Sequence, residues 1–243
     1  GDDVINGAGA DSGNVKLRLN GGPGDDVITG TDGVETISGG DGADVLNGGD
    51  GNDTIMGDAG DDTIDGGKGD DVVEGGDNND SILGGRGNDT LRGGLGKDTL
   101  NGETGDDKLE GNDGDDKLIG KAGKDTLFGG LGNDKLFGGS SGDSLDGNDG
   151  NDSIRGQGGD DIVHGGDGND KILGNAGNDI LIGGDGDDVV EGGSGNDGIT
   201  GGNGDDRLVG EDGDDTIVGG DGDDTQTGGA GDDILLGDEG NDL

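Results

Sequence analysis

GGDGNDTIM, residues 48–56, places three glycines, a central aspartate in polar company and a single aliphatic, Ile55, in nine positions. The recipe is repeated along nearly the whole chain. From Asp26 an acidic residue returns every nine positions, 25 times in all, as far as Asp242, with no insertion or deletion. A glycine stands five residues before each acid, from Gly21 to Gly237. An aliphatic follows two residues after it in 23 of the 24 complete repeats, Gln226 being the exception. A fixed period of this kind marks a stacked array, in which one unit cannot bury its apolar residue alone but neighbours can.

Composition alone argues against folding. Of 243 residues only 23% are hydrophobic and 1% aromatic, 70 are glycine, and the formal net charge is -45. Low hydrophobicity with high net charge leaves too little apolar surface to offset ordering entropy. Cysteine is absent, so disulfides and thiolate metal sites are excluded. No apolar run is long enough for a transmembrane helix. The negative charge and the lack of Tyr and Trp oppose nucleic-acid binding. With one histidine and no constellation that interrupts the repeat, the segment is read as non-enzymatic. It starts on Gly1 and stops within a repeat, which suggests a segment of a longer array.

The spacing also predicts local geometry. Thr54, Ile55 and Met56 suit a short strand with Ile55 turned inward, because strand side chains alternate faces. The six residues before them are turn formers, and glycine supplies the positive φ that tight turns require. Each nonapeptide therefore reads as turn, then strand.

The pattern G-G-x-G-x-D-x-U-x resembles the RTX (repeats-in-toxin) hemolysin-type calcium-binding nonapeptide family over residues 21–243. The resemblance implies an all-β fold, a right-handed parallel β-roll (β-solenoid) of two facing parallel sheets. It implies 18 residues per coil, about twelve coils, and calcium in the turns. One inward column would be Ile28, Leu46, Ile64, Ile82, Leu100, Leu118, Leu136, Ile154, Ile172, Val190, Leu208 and Gln226. The facing column would be Ile37, Ile55, Val73, Leu91, Leu109, Leu127, Leu145, Val163, Leu181, Ile199, Ile217 and Leu235.

Carried over residue by residue, the resemblance makes the motif aspartates the metal ligands, together with backbone carbonyls of two successive turns. These are Asp26, Asp44, Asp53, Asp62, Asp71, Asp80, Asp89, Asp98, Asp107, Asp116, Asp125 and Asp134. The second half adds Asp143, Asp152, Asp161, Asp170, Asp179, Asp188, Asp197, Asp206, Asp215, Asp224, Asp233 and Asp242. Up to about 23 inter-turn Ca2+ ions would then nearly balance the formal charge of -45. Departures are local: Glu35 replaces aspartate in a repeat with Thr31 and Val34, Asn78 and Ser141 replace the fourth-position glycine, and Asp58, Asn112 and Lys121 replace the second.

Why a metal is needed follows from charge. Aspartates 18 residues apart in sequence stack within a few ångströms of one another and repel. A hard cation with six to eight oxygen ligands reverses that term, so its binding free energy becomes folding free energy.

Other residues have plainer readings. Those just before the aspartates, such as Asn52, Asp61 and Asn88, are expected to stabilise the turn. His164 falls at the outward end of a strand, and Lys97, Lys108, Lys117 and Lys124 suit surface charge pairs. Before Gly21 the register breaks: residues 1–7 look like a partial repeat, and residues 15–19, VKLRL, alternate like a longer strand. Residues 1–20 are thus set apart from one continuous roll over residues 21–243.

The expected role is a calcium-dependent structural repeat of a secreted or cell-surface protein, such as a stalk, adhesin, surface-layer or filament element, with self-association end to end or laterally. The alternatives are a calcium-triggered folding module of a type I-secreted toxin or hydrolase, and an ice-binding roll. For the last, outward Thr36, Thr54, Thr90 and Thr126 share a face but are interrupted by Val72 and Lys108.

Overall fold

The computed structural model describes residues 1–7 and 16–243. Two compact units, Gly1–Ala122 and Gly123–Leu243, are built alike from parallel strands, with no helix among the described residues.

In the first unit one sheet takes Val4–Asn6, Val27–Thr31, Val45–Asp50, Thr63–Lys68, Ser81–Arg86, Thr99–Thr104 and Lys117–Ala122 in that order. The other takes Leu17–Pro23, Glu35–Asp41, Thr54–Ala59, Val72–Asp77, Thr90–Leu95 and Lys108–Asp113. Successive strands therefore alternate between sheets, and each pairs with the strand two places on. The register is fixed at one coil: Ile55 lies beside Ile37 on one side and Val73 on the other. An 18-residue parallel solenoid is the result.

The second unit repeats the plan. Lys135–Ser140, Ser153–Gly158, Lys171–Ala176, Val189–Ser194, Arg207–Asp212 and Thr225–Ala230 form one sheet. Thr126–Leu131, Ser144–Asp149, Ile162–Asp167, Ile180–Asp185, Gly198–Asn203, Thr216–Asp221 and Ile234–Glu239 form the other.

The core is the pair of aliphatic columns expected from the repeat. In the first unit Ile28 through Leu118 on one sheet and Ile37 through Leu109 on the other, and in the second unit Leu136 through Leu208 and Leu127 through Ile217, are at most 1% exposed. Burying each stabilises by roughly 1.5–3 kcal/mol. At the last coil of the second unit Leu235 is 42% exposed, and half-buried Gln226 turns its amide to the carbonyl of Leu236 at 2.8 Å.

Strands are longer than the three residues the spacing suggests. Thr54–Ala59 runs on through Gly57 and Asp58. Its register with Val72–Asp77 joins Met56 to Glu74 and Asp58 to Gly76 but skips Gly57, so the first motif glycine is a corner between two paired arms. The remaining three residues of the nonapeptide make the turn.

Residues 1–7 pair with the first full coil. Ile5 pairs with Ile28, an offset of 23 instead of 18, and Asp3 takes the place of a motif aspartate by donating its amide to Asp26 Oδ1 at 2.5 Å. The strand expected over residues 15–19 is present from Leu17, with Leu19 buried; Val15 lies outside the described residues.

Candidate metal centre

Two turn positions carry the unusual backbone. The fourth motif position has φ between +118° and +152° wherever it is a glycine of positive φ, as at Gly51 (+135°). This is a region that side chains avoid. The second position spans +93° to +129° where it is glycine, but when occupied by Asp58, Asn112, Lys121 or Gln157 it relaxes to the left-handed helical region, between +76° and +82°. That explains the sequence tolerance: the second glycine varies because αL accepts polar side chains at modest cost, whereas the fourth varies only at Asn78 (+85°) and Ser141 (+96°).

These turns hold two side-chain ladders that run in opposite senses. In the inner ladder the amide of each motif acid donates to Oδ1 of the aspartate one coil ahead: Asp26 to Asp44 at 2.7 Å, Asp53 to Asp71 at 2.7 Å, Asp152 to Asp170 at 2.7 Å. In the outer ladder the residue before the aspartate accepts from the coil ahead. Asp70 N donates to Asn52 Oδ1 at 3.1 Å and Asn88 N to Asp70 Oδ1 at 2.9 Å. The preceding residues thus stabilise the turns, as their chemistry suggests.

The inner ladder uses only half of each carboxylate. Asp26 and the motif aspartates through Asp224 are 1–3% exposed. Their second oxygens, among them Asp44, Asp53, Asp62, Asp71, Asp80 and Asp89 Oδ2, are buried without a hydrogen-bond partner. The same holds for Asp143, Asp152, Asp161, Asp170, Asp179, Asp188, Asp197, Asp206 and Asp215. An unsatisfied buried acceptor of this kind is costly. Asp107, Asp116, Asp125 and Asp134 are as deeply buried, whereas Asp233 and Asp242 are only half-buried.

The orphan oxygens point into a defined space. A Cβ added to Gly39 would collide with Asp44 Oδ2 and would sit 2.8 Å from the carbonyl oxygen of Gly57. Gly75, with Asp80 Oδ2 and the Gly93 carbonyl at 2.7 Å, repeats the arrangement, as does Gly183 with Asp188 Oδ2 and the Gly201 carbonyl at 2.6 Å. The first motif glycine is therefore required for room, and the room is lined by one carboxylate oxygen and one carbonyl oxygen from successive coils.

Electrostatics show what that space lacks. Burial pushes the carboxyls up, to about 6 at Asp53 and about 7 at Asp80 and Asp89, with neighbouring aspartates adding to the rise and the amide of the previous coil opposing it. The second unit behaves likewise, at about 7 for Asp143, Asp170 and Asp206. Among the described residues no three His, Cys, Asp or Glu side chains converge. A donor set of carbonyls with few carboxylates, all oxygen and no nitrogen or sulfur, suits a hard divalent cation.

One turn is closed differently. Glu35, 2% exposed, accepts the Thr31 amide at Oε2 and the Thr31 hydroxyl at Oε1, each at 2.9 Å. Neither Thr31 nor Gly33 has a positive φ. The extra methylene lets this carboxylate reach its own turn, and both oxygens are used there.

The sequence pattern described as the RTX calcium-binding nonapeptide repeat (4 copies) matches residues 18–46, 29–64, 38–73, 47–82, 74–109, 101–136, 110–144, 137–172, 164–199, 200–225 and 209–243. The chain belongs to the RTX calcium-binding nonapeptide repeat family. The family binds calcium, and the all-oxygen cradles fit that ion. No curated protein matches the chain. Among solved structures it is similar to a hyperactive, Ca2+-dependent, β-helical antifreeze protein from an Antarctic bacterium, at 23% identity and a TM-score of 0.47, over 100% of this chain and 82% of that one.

Of the remaining residues, His164 is exposed on the outer face of its strand. Lys97 and Lys108 pair with Asp115 and Glu110 at 3.5 and 2.6 Å. Sequence reasoning missed the half-use of each carboxylate, since a nine-residue period fixes which residues stack but not which oxygen is spent on the backbone.

Proposed function

We propose that this RTX segment is a calcium-folded structural element of a secreted or cell-surface protein, in which the motif aspartates from Asp26 to Asp242 and the first-glycine carbonyls hold calcium between successive turns. The observation that carries the reading is the column of buried Oδ2 atoms without partners. They make the metal-free coil unfavourable, and a divalent cation placed against them removes the penalty while neutralising stacked like charges. Calcium supplies charge and coordination and no chemistry on a substrate. Folding then waits for an environment with calcium in excess, which outside the cell is the ordinary condition.

A long array with file upon file of outward side chains suits a stalk, adhesin or surface-layer element that also contacts other molecules laterally. The outer faces lack an uninterrupted threonine file: in the register Thr54, Val72, Thr90, Lys108 the aliphatic and the cation break it. This favours support over ice binding.

The test is a calcium titration of chelator-treated protein followed by far-UV circular dichroism, with magnesium as the control and sedimentation velocity on the same samples. The expected result is a cooperative coil-to-β transition with calcium alone, accompanied by growth in mass. Full β signal in excess chelator would overturn the reading.

A further inference from the structure

The second unit segregates its charge. Of the five Lys and Arg residues at positions 123–243, four, Lys135, Arg155, Lys171 and Arg207, project from the outer face of one sheet. Its strands pair Lys135 with Ser153, Ser153 with Lys171, Lys171 with Val189, and Val189 with Arg207. Lys135, Lys171 and Arg207 therefore form one straight file with a cation on every second coil, about 10 Å apart. Arg155 lies over the ring of Phe137 at 5.5 Å. The arm of the strands that bears these cations carries one acid, Glu191, which Arg207 Nη1 engages at 3.1 Å, while Glu211 and Asp212 lie beyond the corner glycine on the second arm. Among the described residues Lys135, Arg155 and Lys171 have no carboxylate within 4.0 Å, in a chain with 59 acids.

A matching surface lies along the C-terminal ends of the opposite sheet's strands. There Asp149, Asp167, Asp185, Asn203 and Asp221 stand side by side on successive coils. Beneath them Gly166, Gly184, Gly202 and Gly220 leave an open groove of about 440 Å3. Asn148 and Asp238, aligned with the first and last of these glycines, bound it at either end.

We propose that calcium-loaded second units associate laterally, the file of Lys135, Lys171 and Arg207 of one copy lying along the acidic groove of another. The occupant is a second copy because the spacings match by construction. Lys135, Lys171 and Arg207 are 36 residues apart, and so are Asp149, Asp185 and Asp221. Both files climb with the same coil, so the match holds along the whole contact. The glycine floor gives the lysine stems room to lie flat while their ammonium groups meet carboxylates. Each copy offers both surfaces, so the contact is heterologous and extends instead of closing on a dimer. The inference rests on the calcium-folded reading above, because neither file exists in the unfolded chain.

Sedimentation velocity of the full chain in calcium tests it, with circular dichroism on the same samples. The wild type is expected to grow with concentration and to dissociate as salt rises from 50 to 500 mM, values chosen to span strong and weak screening. Lys135→Glu/Lys171→Glu/Arg207→Glu and Asp167→Lys/Asp185→Lys/Asp221→Lys should each keep the calcium-dependent β signal and weaken association roughly tenfold or more. Mixing the two charge-reversed variants should restore it. A wild type that stays monomeric, variants that associate as the wild type does, or a mixture that stays apart would each overturn the proposal. So would a monomeric wild type whose cationic face retains polygalacturonate, which would assign the face to an anionic polysaccharide. A wild type with no calcium-dependent β signal would overturn the folding reading itself, and this inference with it.

Discussion

Asp53 donates its amide to Asp71 Oδ1 at 2.7 Å, while Asp71 Oδ2, equally buried, meets no donor at all. One atom of the carboxylate belongs to the backbone and the other has no partner, which is the atom proposed above to face the ion. Replacing aspartate by asparagine separates the two roles. Asp170→Asn keeps an acceptor for the Asp152 amide, which sits 2.7 Å away, but substitutes an NH2 group for Oδ2. With calcium the variant should lose about 1–3 kcal/mol, since a donor faces the cation and a charged ligand is gone. Without calcium it should be the more ordered protein, because a buried charge has been removed. The calcium-loaded melting temperature should therefore fall while the weak β signal in chelator rises; a calcium-loaded melting temperature equal to the wild type's would count against a ligand role for Asp170.

Acidity should substitute in part for the metal. Burial first, and neighbouring carboxylates after it, raise Asp80, Asp89, Asp143, Asp170 and Asp206 from 3.8 in the unfolded chain to about 7 in the metal-free coil. A carboxyl with a raised folded value binds more protons folded than unfolded between those limits. Its stabilisation is fully present below about 3.8 and is lost as pH rises through about 7. The calcium-free chain should accordingly gain β signal as pH falls from 8 to 5. In the calcium-bound state the order reverses, because protons compete with the ion, and the calcium midpoint should move to higher concentration over the same interval. A calcium-free β signal that increases with pH would contradict the burial argument.

How much of this was legible in sequence depends on what a period can encode. The nine-residue spacing marked the turns, the short strands and the inward aliphatics, and the family resemblance added the two sheets and the 18-residue coil that set Ile55 beside Ile37 and Val73. It did not reveal that Thr54–Ala59 continues through the glycines, because strand length depends on pairing with the adjacent coil and not on local propensity, which in glycine is low. Nor did it reveal the outer ladder from Asn52 to Asp70 to Asn88, since either side chain is an equally good acceptor and both read as generic turn residues. Glu35 stood out as a substitution, but its use of the Thr31 amide and hydroxyl needed coordinates.

The two turn glycines should differ in what they tolerate. Gly184→Asn, at the second motif position, begins from +128°, close to Gly186, but can relax to the conformation that Asn148 at +72° and Asn175 at +76° already adopt at that position on neighbouring coils, and should change the calcium-loaded melting temperature little. Gly186→Asn, at the fourth position, begins from +130°, and its Cβ would lie 2.6 Å from the carbonyl carbon of Gly168. It should cost about 1–3 kcal/mol. Equal melting temperatures for the two variants would show that φ at these positions does not limit the fold.

The turn at Glu35 should be silent toward calcium, and repairable. Both of its oxygens are engaged by Thr31 at 2.9 Å, and the turn lacks the positive φ values that elsewhere accompany an aspartate with a free Oδ2. A shorter acid cannot reach back to residue 31, and a glycine at position 31 removes both the hydroxyl and the β-branch that keeps the residue out of the left-handed region. Thr31→Gly/Glu35→Asp should therefore release one carboxylate oxygen into the cradle beside Gly30, where an added Cβ on the present chain would meet Glu35 Oε2 at 2.9 Å and the Gly48 carbonyl. Native mass spectrometry of the calcium-saturated full chain should count one more ion in the double variant than in the wild type. Thr31→Val, which leaves the carboxylate long and removes only the hydroxyl, should add none. An unchanged count in the double variant, with its β signal intact, would place the limit on calcium at this turn elsewhere than in the Glu35 side chain.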